Sequence, residues 1–362
     1  MASDAAPSGT WTRFLVTAGV SAALLSVAVV LFAFVFDPFG VGPFARRANP
    51  VLMDLNQRFM YPQIVRSGRF DAAIAGTSTI RLVDPQALDA AYGARFANLA
   101  MNSATAWEQT QIVDLFLRQV PAPRALIWSL DPLWCAPDAA DPRQRLTFRA
   151  FPATFYDDNP WNDWPELFNL KSLELAWRML LYRAGAMPER YRNDGYEVFT
   201  PPESTYDLAR ARQHLWGGPP RVITPREPPY VPAAGEREGW VMPALAWLDQ
   251  RLSGLPAATR VVLVFPPTHV SAHPQPGSEA AAKAAECKGR VARIATRRGA
   301  TVLDFQQASP VTLDDSRYWD PLHYRLDVAR RIESALNAVA TGQAALAAQP
   351  QPFWTVLVPP TR

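Results

Sequence analysis

The sequence is poor in the residues that most often announce a chemistry. Of its 362 residues only two are cysteine and four are histidine. Cys135 and Cys287 have no second ligand at close spacing, so they form no metal motif, and no metal site is expected. Pairing in an oxidising compartment and packing as two separate thiols are both open to them. Charge of one sign is also missing. Lys and Arg number 36 against 33 Asp and Glu, a net +3. No basic run is long enough to follow a phosphate backbone, which excludes a nucleic-acid partner. There is no internal repeat. What is abundant is proline, 35 residues, and tryptophan, 12. Pro stiffens loops and Trp supplies large flat contact area, so long ordered loops and the walls of a cleft are expected.

One hydrophobic run stands out. Residues 14–36 carry no charge, no Pro and one Gly. As a helix they would span roughly 34 Å, enough to cross a hydrocarbon core. A cleaved signal peptide would have a shorter apolar stretch and a small-x-small cleavage site, and here bulky Phe36-Asp37-Pro38-Phe39 follows. An uncleaved membrane anchor is therefore expected, after a tail at 1–13. Arg13 precedes the run, while Arg46 and Arg47 follow it. By the positive-inside rule this leans towards a cytoplasmic C-terminal domain, but long domains translocate regardless of nearby charge.

Residues 37–65 read as a linker rich in Pro, Gly and Phe. From there an α/β rhythm predicts one domain over 66–345. Short apolar runs at 72–75, 95–100, 125–128, 260–265 and 301–304 read as strands. Helical spacing is found at 85–92, 107–119, 242–252, 279–298 and 326–340. Five buried strands alternating with helices imply a parallel sheet covered on both faces. Ligands then bind outside the carboxyl ends of the strands. The rhythm stops over 132–240, where Pro, Trp, Tyr and Arg dominate and only 173–181 is clearly helical. A long irregular stretch of this kind reads as an insertion that frames a site. The tail at 346–362 reads as extended, with Phe353 and Trp354 able to dock back.

Two motifs carry chemistry. The first strand runs into Gly76-Thr77-Ser78-Thr79, where Gly permits a sharp turn that presents a hydroxyl at the strand's carboxyl end. Alone, such a Ser is more often a turn-maker or helix cap. The second motif is Asp320-Pro321-Leu322-His323, ahead of the last helix. A carboxylate three residues from a His can hold its tautomer and stabilise the imidazolium. In a parallel sheet both motifs lie on one edge.

With these blocks the sequence resembles the SGNH hydrolase superfamily, and within it the membrane-anchored proteins related to the alginate O-acetyltransferases. Gly76-x-Ser78 matches the nucleophile block and Asp320-x-x-His323 the acid/base block. Asn98 to Ala104 sits where the second block follows the second strand. The likeness covers about 70–131 and 255–340 and leaves the insertion unmatched. It implies a flavodoxin-like α/β sandwich, a Ser78–His323–Asp320 triad, and no cofactor. The implied activity is ester hydrolysis or O-acyl transfer on acetylated envelope or extracellular polysaccharide. The implied location is the inner membrane, with the domain on the extracytoplasmic side. Polysaccharide or an acyl donor would be substrate, and membrane-bound acyltransferases or envelope assembly proteins would be partners. The alternative is an inactive glycan-binding or assembly component.

The sequence departs from the family at the oxyanion positions. The second block's usual Gly is Ser103, flanked by Asn102, and either can donate. The third block's usual Asn is Asp131, whose ionised carboxylate would repel an oxyanion. Two further residues are candidates for substrate contact. Arg81 can bind an anion bidentately or pair with a nearby acid. His269 follows the fourth strand, either at the ligand edge or as a surface residue.

Overall fold

The computed structural model describes residues 8–45, 48–343 and 352–360. Arg46 and Arg47, residues 1–7 of the expected tail, and residues 344–351 and 361–362 lie outside the described residues.

The apolar run is a single helix, α1 (Ser8–Phe36), long and apolar enough to cross a membrane. Its final turn enters the domain, where Ala33 is buried. Asp37 ends it. Its N–H still bonds Ala33 O at 2.9 Å, its φ turns positive at 23°, and its carboxylate accepts from Val41 N at 3.2 Å and Gly42 N at 2.8 Å. Burial raises the Asp37 pKa, against these backbone donors, which favour the charged form.

The described residues of the segment 37–65, read from its sequence as a linker, are built into the domain. Leu52, Met53, Met60, Tyr61 and Ile64 are all buried, and helix α2 (Gln57–Arg66) forms despite Pro62. A proline inside a helix removes the N–H that would reach the carbonyl four residues back, here Arg58. The Tyr156 hydroxyl donates to that carbonyl at 2.8 Å instead. Sequence periodicity could not reveal this helix, because the group that replaces the lost donor comes from the insertion.

The domain is α/β, with a mixed sheet of six strands in the order β2-β1-β3-β4-β5-β6. These are β1 (Ala72–Ala75), β2 (Phe96–Asn98), β3 (Ala125–Ser129), β4 (Arg260–Phe265), β5 (Thr301–Asp304) and β6 (Thr355–Val358). The five expected strands are mutually parallel. The sixth is an addition: the tail returns antiparallel to β5. Phe353 docks beside it, 5.1 Å from the Phe305 ring.

Alternating strand residues feed two cores. On one face Ala73, Leu126, Trp128 and Leu263 meet α2, α4 (Ala106–Gln119), α8 (Ala244–Ser253) and α9 (Glu279–Arg298). On the other, Ile74, Ile127, Val262 and Leu303 meet α3 (Gln86–Tyr92) and α10 (Leu326–Ala340). Burial on both faces explains why the strands read as continuous apolar runs.

Between β3 and α8 the insertion holds α5 (Leu170–Arg183), α6 (Leu208–Trp216) and one turn, α7 (Glu236–Gly239), joined by short 3₁₀ turns. Cys135 and Cys287 are paired, with Cα atoms 5.8 Å apart. The bond ties the start of the insertion to α9.

Candidate active site

Strand β1 delivers Ser78 through a turn that only glycine at position 76 allows. Gly76 has φ +150°, and a Cβ there would stand 2.8 Å from Ser129 Cβ and 2.9 Å from Ile80 Cγ2. The turn then closes, Ile80 N bonding Thr77 O at 3.2 Å and Arg81 N bonding Ser78 O at 3.3 Å. Tyr324, fully buried, donates its hydroxyl to Thr79 O at 2.8 Å and pins the turn to the loop ahead of α10.

That loop brings the second motif into reach. Asp320 Oδ1 accepts from Leu322 N at 2.8 Å and His323 N at 3.0 Å, so the carboxylate organises its own turn. Its Oδ2 lies 2.6 Å from His323 Nδ1, and His323 Nε2 lies 2.9 Å from Ser78 Oγ. A carboxylate can only accept, so Nδ1 carries the proton and Nε2 is left as acceptor for the serine hydroxyl. Asp320 titrates below the ordinary carboxylate value. Burial opposes this, but the His323 ring and the two backbone N–H groups outweigh it. Phe199, from the insertion, packs against the imidazole with the rings near-perpendicular and their centres 5.5 Å apart. Ser78, Asp320 and His323 are thus one hydrogen-bonded line, and Ser78 and His323 are half-buried. Such an arrangement can activate a hydroxyl as a nucleophile and store its proton.

The neighbouring residues are placed differently from one another. Ser103 has φ +55°, one of two positive-φ non-glycine residues among those described. It therefore adopts the backbone conformation that favours glycine, at the position where the resemblance expects glycine. The Asn102 side chain accepts from Arg81 Nη1 at 2.7 Å through Oδ1. Its main chain is held from α2, Asn102 N donating to Gln57 Oε1 at 3.3 Å and Asn102 O accepting from Arg58 Nη1 at 3.2 Å. Arg58 and Glu108 are wholly buried and form a two-pronged pair at 2.9 and 2.6 Å. Glu108 also closes the capping box of α4 with Thr105.

Arg81 is buried and donates to Glu197 Oε2 at 2.7 Å, so it is an ion-paired strut between Asn102 and the insertion. His269 is not a surface residue. It is fully buried, with Ser271 Oγ 2.9 Å from Nδ1 and Asp315 Oδ1 3.2 Å from Nε2. Its backbone N–H donates to Pro321 O at 2.9 Å, which steadies the Asp320–His323 turn from behind. Burial lowers its pKa, although Asp315 favours the charged ring.

Asp131 follows β3 by two residues and caps the 3₁₀ turn Pro132–Cys135. Its Oδ1 accepts from Leu133 N at 3.2 Å, and among the described residues its buried Oδ2 has no hydrogen-bond partner. Burial pushes its pKa up to about 6, against the nearby Thr77 hydroxyl and the Leu133 N–H.

Sequence reading missed Gln57, Arg58, Glu108, Glu197 and Phe199. The pattern Thr105-x-x-Glu108 is a capping-box signal that marks Glu108 locally. The others act across long sequence separations and leave no local sign. No family model matches this chain, and no curated protein matches it in sequence.

Proposed function

We propose that this protein is a membrane-anchored SGNH-type serine esterase or O-acyltransferase acting on acyl, chiefly acetyl, esters of an envelope or extracellular polysaccharide. The observation that carries the reading is the unbroken line from Ser78 Oγ through His323 to Asp320, at 2.9 and 2.6 Å. Ser78 Oγ attacks the ester carbonyl as its proton passes to His323 Nε2. The tetrahedral intermediate collapses, its bond to the alcohol oxygen breaks, and His323 returns the proton to the departing alcohol. Water then releases the acid, or a sugar hydroxyl takes the acyl group. The backbone N–H of Ser78, together with Ser103 or the side-chain amide of Asn102, is the candidate set of oxyanion donors.

Three further observations support the fold and location in this reading. The parallel strand order 2-1-3-4-5 is that of flavodoxin-like doubly wound sheets. The Cys135–Cys287 bond suits an oxidising, extracytoplasmic compartment. Helix α1 suits a single-pass anchor in the inner membrane.

Asp131 favours a second reading, an inactive glycan-binding or assembly component, because a carboxylate stands where an oxyanion donor is expected. Hydrolysis of p-nitrophenyl acetate by wild type and Ser78→Ala separates the two. The enzyme reading expects the variant to lose at least about 10³-fold in kcat. Equal rates would remove Ser78 from the chemistry and leave the binding reading.

A further inference from the structure

The last turn of α1 is joined to the insertion by aromatic contacts. The Phe34 ring lies 5.4 Å from both Trp164 and Phe168, and Trp164 lies 5.1 Å from Trp161. From Phe168 the surface continues onto α5, whose Leu170 and Trp177 are two turns apart and share one face. These side chains are unusually bare: Leu170 is 87% exposed, Trp161 70% and Trp177 54%. The opposite face of α5 is committed, with Leu175, Ala176 and Met179 buried in the domain. The two helices are also locked end to end. Arg183 Nη1 donates to Val35 O at 3.0 Å, and its guanidinium lies 4.9 Å from the Phe36 ring centre. The patch therefore cannot drift relative to α1.

We propose that the surface formed by Trp161, Phe168, Leu170 and Trp177 lies in the headgroup layer of the bilayer that α1 crosses, so that the insertion seats the domain on the membrane. The occupant follows from continuity. Phe34 and Phe36 end the apolar run and so stand at the edge of the hydrocarbon core. Phe168, in ring contact with Phe34, lies at that same depth, Trp161 joins it through Trp164, and Leu170 and Trp177 continue the surface along α5. Trp is the residue enriched there, since its ring is apolar and its N–H stays wet. An exposed apolar patch of this kind marks an interaction site on a soluble face, whereas beside a spanning helix it is already covered by lipid. The inference does not depend on the esterase reading. It rests on α1 remaining in the bilayer.

The test uses the full chain in nanodiscs of phosphatidylcholine and phosphatidylglycerol, with the native disulfide left paired. An environment-sensitive NBD label is attached at W161C, L170C and W177C. V222C and V231C, 89% and 79% exposed between α6 and α7, serve as controls. The three patch labels are expected to emit to the blue of the controls and to be quenched by spin-labelled lipid. A water-like spectrum at all five positions would overturn the proposal. So would a blue shift seen in native membranes but absent in pure-lipid discs, which would assign the surface to a protein partner. Release of the chain from discs at high pH would remove the span, and this surface with it. Unlabelled protein gives an independent readout: brominated lipid should quench a smaller share of tryptophan fluorescence in W161F/W177F than in wild type. An unchanged share counts against the proposal.

Discussion

The ends of β1 and β3 lie side by side on one edge of the sheet, yet they are built on opposite terms. At β1 each polar group of the reactive line has a partner: Ser78 has His323, His323 has Asp320, and Asp320 has two backbone N–H groups. At β3, among the described residues, Ser129 Oγ and Asp131 Oδ2 are buried with no hydrogen-bond partner. An unpaired buried polar group costs about 1–3 kcal/mol, so a fold rarely keeps one without another use for it. The contrast teaches that the nucleophile side is a finished structure. The side at the end of β3 has polar capacity still open, at Ser129 and Asp131.

The largest expected effect breaks the finished side. Asp320→Asn keeps the shape but allows the wrong His323 tautomer. It should lower kcat on p-nitrophenyl acetate by about 10³–10⁴-fold with a much smaller change in KM. A loss under tenfold would mean that the carboxylate does not orient the ring.

Next comes the scaffold of the Asn102–Ser103 loop. Arg58→Met leaves Glu108 buried and uncompensated, and should cost about 3–5 kcal/mol of stability in denaturant titrations. Arg58→Met/Glu108→Met should recover much of that loss. Additive losses would show that the two residues are not coupled.

Asp131→Asn acts on the contrast itself. The folded carboxyl holds its proton to about pH 6, above the unfolded value near 3.9. Between these values the folded state binds more protons, so stability falls as pH rises from about 4 to about 6. Replacement by Asn should therefore stabilise the protein by about 1–3 kcal/mol at pH 7 and by little at pH 4. Unfolding midpoints at the two pH values test this, and an equal effect at both would refute the raised pKa. The smallest effect is Ser103→Gly, which removes the left-handed strain of a side-chain-bearing residue and should stabilise by up to about 1 kcal/mol. A loss of stability would show that the Ser103 side chain contributes more than its backbone strain costs.

What could be read from sequence follows from what is local. The five parallel strands were legible because burial on both faces makes each a short apolar run. The Ser78 turn and the Asp320–His323 pair were legible because each is a contiguous motif, and the parallel topology puts them on one edge. Strand β6 was not, since Thr355–Val358 gains its register only from β5. Helix α2 was hidden by Pro62, whose cost is offset by Tyr156 almost a hundred residues away. The Arg58–Glu108 pair spans 50 residues, and Arg81–Glu197 spans 116. Charge pairs at such distance have no periodicity to betray them. His269 was misjudged because its partner, Asp315, belongs to another loop.

The Cys135–Cys287 bond has a topological consequence. It closes a covalent ring across a sequence separation of 152 residues, and that ring contains α5, α6, α7, α8 and β4. A single protease cut anywhere in the exposed stretches of this ring opens a loop without dividing the molecule. Both pieces stay joined to α1, and neither half of the Ser78–His323 line is shed. Such a nicked chain runs as one species on a non-reducing gel and separates into two only when the disulfide is reduced.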